Sequence, residues 1–191
     1  EDVAVGPNPP ARIEIPVEPK LLMLQEYGQN TTGDKETNIS YHVVRKSRLF
    51  GPEDIDIDVN FQVPIPWIPW PPIDWPDPVH PSLLLGVVKN MDGSRTNELT
   101  RADKNNLARF TFTWYAEAVN GHVIDSFWNG ARVVEAQLTF DDSIHTPGTE
   151  QTVDIPWTYI KDGGNGLEVP VHYQLSAAGI ENDLESTPTL V

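Results

Sequence analysis

Apolar residues recur at every second position through most of this sequence, and that period restricts the chain to strands rather than helices. Phe110, Phe112 and Trp114 alternate with Thr111, Thr113 and Tyr115. Leu167, Val169, Val171, Tyr173 and Leu175 put five apolar residues on one face, interleaved with Glu168, Pro170, His172 and Gln174. Asn120-Gly121 and Asn129-Gly130 are tight-turn signals, because both residue types tolerate positive φ. Between them Val123 to Trp128 reads as a return strand, and Val134, Ala136, Leu138 and Phe140 follow at alternate positions. Leu83–Val88, Val153–Trp157 and Leu184–Val191 complete about seven strands in residues 82–191, the spacing of an antiparallel sandwich. Asp162-Gly163-Gly164-Asn165-Gly166 is a flexible connection. Helical patterning is confined to Pro19–Gly28, with Leu21, Leu22, Met23 and Leu24, and to one short turn within 97–107.

Residues 1–62 repeat the end of that plan. Ile13-Glu14-Ile15-Pro16 resembles Val153-Asp154-Ile155-Pro156, and Ile39-Ser40-Tyr41-His42-Val43 resembles Val171-His172-Tyr173-Gln174-Leu175. Ile55, Ile57, Val59 and Phe61 then alternate as a final strand should. Residues 1–62 therefore read as the last three strands of a sandwich whose first half is absent. Three strands leave an apolar face and an edge uncovered. Cover would come from the connector, from the second unit, or from another copy, the last giving a homodimer through residues 1–62.

Val63 to Pro81 separates the two units and holds eight prolines and three of the six tryptophans. Proline lacks an N–H and fixes φ, so this segment is expected to run as an extended, polyproline-like connector. Trp67, Trp70 and Trp75 are too apolar for a solvated linker. Burial against the flanking units would fix the joint; exposure would let them stack on sugar rings or anchor a protein partner. Burial is favoured, because three exposed tryptophans invite aggregation.

Charge narrows the partners. Lys+Arg number 13 against 28 Asp+Glu, a formal net charge of −15, which repels phosphate backbones and argues against nucleic acid. The 191 residues include no Cys, so disulfides, thiolate metal sites and thiol nucleophiles are excluded. No run approaches the roughly 18 apolar residues of a transmembrane helix. The sequence opens on Glu1-Asp2 without a basic and apolar leader, as a mature protein or an excised piece would.

Candidate chemistry is sparse. Asp54, Asp56 and Asp58, with Asn60, form an acidic run on one strand face. Oxygen ligands of this kind suit Ca²⁺, with Asp74 or Asp77 as further donors. Side chains two apart on a strand diverge, however, so the run reads first as a solvated face whose charges discourage edge pairing, and calcium is not expected to be required. Asp141, Asp142 and His145 share a loop without a ligand spacing, and His42, His80, His122 and His172 are scattered and read as surface residues. No nucleophile elbow, P-loop or dinucleotide fingerprint occurs. No catalytic residue is nominated.

The segments Val123–Gly130, Thr152-Val153-Asp154-Ile155-Pro156-Trp157-Thr158-Tyr159-Ile160, Val169–Leu175 and Glu185–Val191 together carry a resemblance. They resemble the tandem immunoglobulin-like repeats of large Pseudomonas-type surface and secreted proteins, most clearly over 82–191 and more weakly over 11–62. The resemblance implies an all-β, antiparallel immunoglobulin-like β-sandwich at 82–191, a partial unit at 1–62 and a Pro/Trp-rich linker at 63–81. It further implies a non-catalytic spacer or presentation module of an adhesin- or toxin-like protein, extracellular or at the bacterial cell surface. Its partners would be neighbouring repeats or a host or surface glycan or protein. The alternative is a carbohydrate- or protein-binding module centred on Trp67, Trp70 and Trp75.

Overall fold

The computed structural model describes residues 33–65 and 79–191, together with Glu18. Ile13–Pro16, the Pro19–Gly28 run, Trp67, Trp70, Trp75, Asp74 and Asp77 lie outside the described residues. The described chain is all-β with antiparallel sheets. Strands β1 (Lys35–Arg45) and β2 (Arg48–Val59) form a hairpin. Strands β3 (Val87–Asn90), β4 (Ala108–Thr113) and β7 (Glu150–Ile155) form one sheet in the order β3-β4-β7. Strands β5 (Val123–Trp128), β6 (Ala131–Thr139), β8 (Pro170–Ser176), β9 (Leu184–Glu185) and β10 (Thr189–Leu190) form the other. Its order is β6-β5-β8, with β9 and β10 both on the far edge of β8.

The two sheets close on an aromatic core. Phe110 and Phe112 from β4 and Tyr173 from β8 are almost wholly buried, and the Phe112 and Tyr173 rings lie 5.0 Å apart. Trp114 meets Phe140 edge-on at 5.0 Å. These are the inward positions of the period-two pattern, which is why alternation alone located them. Tyr173 also donates its hydroxyl to the Leu84 carbonyl at 2.8 Å, so its polar tip is satisfied at the rim.

Local chemistry shifts several boundaries from the sequence expectation. Asn129 (φ 47°) and Gly130 (φ 78°) make the two-residue turn, pairing Trp128 with Ala131 and Ser126 with Val133. Extra residues then bulge from β6, so Ile124 pairs with Leu138 and the facing parity flips. Val133 and Ala136 are consequently buried while Val134, expected inside, is 63% exposed. Asp125 ties both flanks of the bulge, accepting from Arg132 Nη2 at 2.7 Å and Gln137 Nε2 at 2.9 Å.

The strand expected through Trp157 stops at Ile155. Pro156 has no N–H for the ladder, and a short helix, α1 (Trp157–Asp162), follows it and turns Ile160 into the core. Leu167, expected on the buried face of β8, is fully exposed because the strand begins only at Pro170. Likewise Leu83–Val88 is mostly not strand; β3 starts at Val87.

The last strand is broken in two at Ser186-Thr187-Pro188. Ser186 keeps the pairing alive: its N–H donates to the Tyr173 carbonyl at 2.9 Å, and its hydroxyl accepts from the Tyr173 N–H at 3.1 Å. Thr189 donates its hydroxyl to the Gly86 carbonyl, bonding the edge of one sheet to the start of the other. Between β3 and β4, Thr100 caps a 3₁₀ turn over Arg101–Asp103, the short turn expected within 97–107.

Candidate functional site

The hairpin is the unusual feature of the molecule. In its register Ile39 faces Ile55, Tyr41 faces Glu53, and beyond a bulge at Gly51-Pro52, opposite His42, Val43 faces Phe50 and Arg45 faces Arg48. Alternation puts Ile39, Tyr41, Val43, Phe50 and Ile55 on one face. The Arg48 guanidinium lies 5.3 Å from the Phe50 ring, which places Arg48 on that same face. Tyr41 is 44% exposed, Val43 53%, Phe50 45% and Ile55 54%, far above what strands packed against a core show. Toward the base the face closes, with Thr37 and Val59 buried.

The opposite face is acidic toward the base and carries the exposed Val44–Leu49 pair, 62% and 58%, at the tip. Asp54, Asp56 and Asp58 project from it beside Glu36, Asn38 and Ser40, their cross-strand partners. Asn38 Nδ2 donates to Asp56 Oδ1 at 2.8 Å. Successive carboxylates lie about 7 Å apart along an extended strand, too far for one cation to gather all three. Among the described residues no three His, Cys, Asp or Glu side chains converge at metal-binding distance.

The base of the hairpin is tied to the sandwich rather than hung from it. Gly33 N donates to Gln62 Oε1 at 2.8 Å, and Asn60 Nδ2 donates to Asp34 Oδ1 at 2.9 Å. Asn182, in the turn between β8 and β9, donates its amide to the carbonyls of both Asn60 and Gln62 at 3.0 Å. Val63 and Ile65 then enter the same core cluster as Phe110 and Tyr173. Further on, Val79 bridges Glu185 and His80 N donates to the Glu185 carbonyl at 2.9 Å. Both ends of the 63–81 segment are thus part of the sandwich wall. The sequence holds no signal for Asn182: an asparagine in a polar turn looks like any other.

Two of the histidines are structural, against the expectation of surface positions. His80 is buried and its Nδ1 accepts from Ser82 N at 3.1 Å. His122 is buried beside Tyr115, whose hydroxyl bonds His122 Nδ1. Burial holds the His122 imidazole below its ordinary pKa and raises the Tyr115 phenol. His172 stacks on Phe127 with centroids 5.0 Å apart and is also depressed by burial, Glu185 opposing. Asp141 is lowered by the hydroxyl and N–H of Ser143, and its own N–H donates to His145 Nδ1 at 3.1 Å. That loop is a closed turn.

The closest ion pair among the described residues is also architectural. Arg95 Nη2 donates to both oxygens of Asp103 at 2.5 and 2.6 Å, and Thr100 N–H donates to Asp103 Oδ2 at 2.7 Å. These bonds, led by Arg95, overcome the burial penalty and bring Asp103 to about 2. An open groove of about 770 Å³ lies nearby, its lining including Trp128, Trp157, Leu167, Arg101, Lys104 and Lys161.

No protein-family model matches this chain, and no curated protein matches it.

Proposed function

We propose that this chain is a non-catalytic structural module that spaces or presents another part of a larger bacterial surface or secreted protein. One geometric relationship carries the reading. Val79 and His80 are held beside Glu185, which pairs with Gln174 of β8, and Val191 exchanges both backbone bonds with Val169, just before β8 on the same edge. Those two levels of β8 lie about 17 Å apart along the strand. Tension applied across the module therefore runs along the strands and loads their hydrogen bonds together. The hairpin base, bonded to Asn182 through the Asn60 and Gln62 carbonyls, extends the same path.

The strand orders β3-β4-β7 and β6-β5-β8, with a split last strand at the edge, support the immunoglobulin-like reading. Neighbouring repeats are the partners such a module would meet, and an extracellular or cell-surface location follows from the same reading.

A glycan array tests it against the binding alternative. The expected result is no selective sugar binding. Selective binding that disappears in Trp67→Ala and Trp70→Ala would replace the spacer with a carbohydrate-binding module.

A further inference from the structure

We propose that the exposed apolar face of the β1–β2 hairpin is an association surface for a second copy of this chain, packed face to face with strands antiparallel. The face holds Tyr41, Val43, Phe50 and Ile55, each 44–54% exposed, on a two-stranded sheet with nothing opposite among the described residues. A two-stranded ribbon of this kind is marginal alone and gains stability by burying such a face.

Charge selects the occupant and its orientation. The hairpin tip is basic, with Arg45, Lys46 and Arg48 supplying three of the chain's 13 Lys+Arg. Arg45 and Arg48 share the apolar face, and Glu53 lies on it beside Tyr41, two levels back from the tip. A parallel stack would set Arg45 and Arg48 against the same cations of the partner. A two-fold axis at the level of Val43 and Phe50, perpendicular to the strands, does the reverse. It lays Phe50 on Phe50 and Val43 on Val43 of the second copy. It sets Arg48 against the second copy's Glu53, and Arg45 over its Tyr41 ring. Every contact is made twice. Both acidic faces, with Asp54, Asp56 and Asp58, turn outward to water, which keeps a chain of charge −15 from repelling itself at the interface.

The surface goes beyond the spacer reading, since a hairpin that pairs copies would link modules side by side. Sedimentation velocity on the full chain across the micromolar range tests it. The expected species is about twice the 21.3 kDa chain mass, weakening as salt is raised. Arg48→Glu and Glu53→Arg should each weaken association at least tenfold, and the double swap should restore it. All four proteins should melt alike at the sandwich transition, because both positions are exposed. A chain that stays at 21.3 kDa, or a dimer indifferent to both single reversals, would overturn the proposal, as would a double swap that fails to rescue.

Discussion

Asn182 grips Asn60 across the joint between hairpin and sandwich. Its side-chain amide donates to the Asn60 carbonyl at 3.0 Å and, in the same fork, to Gln62 at 3.0 Å. The acceptors are backbone groups in a short stretch outside any strand, so this side chain does what a ladder would otherwise do. Asn182→Ala should cost of order 1–2 kcal/mol. The loss should be local: amide exchange at Gly33, Gln62 and Val63 should speed up while the β4 and β5 amides stay protected. Unchanged exchange at those positions would mean that the joint is held by Val63 and Ile65 alone.

Tyr115 and His122 set an acid limit. The Tyr115 hydroxyl and the Val119 N–H both point at His122 Nδ1, so that nitrogen is an acceptor and the imidazole is neutral. Burial lowers the folded pKa beneath the ordinary 6.5. The contribution is therefore full above 6.5 and is lost as pH falls toward the depressed folded value. Melting temperature should drop through mildly acid pH, and His122→Gln should flatten that part of the profile. A variant profile as steep as the wild type would place the transition elsewhere.

Asp103 titrates in a lower window. Its pKa in the folded chain, about 2, lies below the ordinary 3.8, so its stabilisation is present above 3.8 and disappears as pH falls toward 2. At neutral pH, Asp103→Ala leaves Arg95 without its partner and exposes Thr100 N–H, costing roughly 2–4 kcal/mol. Thermal melts of wild type and variant should draw together as pH falls from 3.8 through 2, where the wild-type carboxylate is half protonated.

Gly86 has no room for a side chain. A Cβ there would stand 2.3 Å from Phe110 Cε2 and 2.4 Å from Cζ, and Phe110 is fully buried. Gly86→Ala should destabilise by about 1–3 kcal/mol through displacement of that ring. Near-UV circular dichroism should change with it. An alanine variant as stable as wild type, with its aromatic spectrum intact, would contradict the packing described.

The sandwich was legible because its core is written in period two. Phe110, Phe112, Tyr173 and Leu175 all face inward as their alternation requires. What alternation cannot carry is a change of parity. The β6 bulge exchanges Val134 for Val133 as the inward residue, and neither sequence position advertises it. The strand expected to run to Trp157 passed straight through Pro156, because alternation does not tell a strand that continues from a helix that begins; only the core's need for Ile160 decides that. The acidic run was correctly placed on one face of β2, but the exposure of the opposite face depends on what the fold brings near it. Asn182 was invisible because a turn asparagine acquires meaning only from the distant carbonyls of Asn60 and Gln62.

Single-molecule pulling between residues 62 and 191 tests the spacer most directly. Tension then runs along the β8 edge, where Glu185 and Val191 are paired with different levels of one strand. The expected trace is one cooperative rupture at a well-defined force. Its contour-length gain should be about 40–45 nm, the extended length of residues 62–191 less the distance between those ends in the fold. Yielding in several small steps, or at forces indistinguishable from an unfolded chain, would contradict a module built to carry tension.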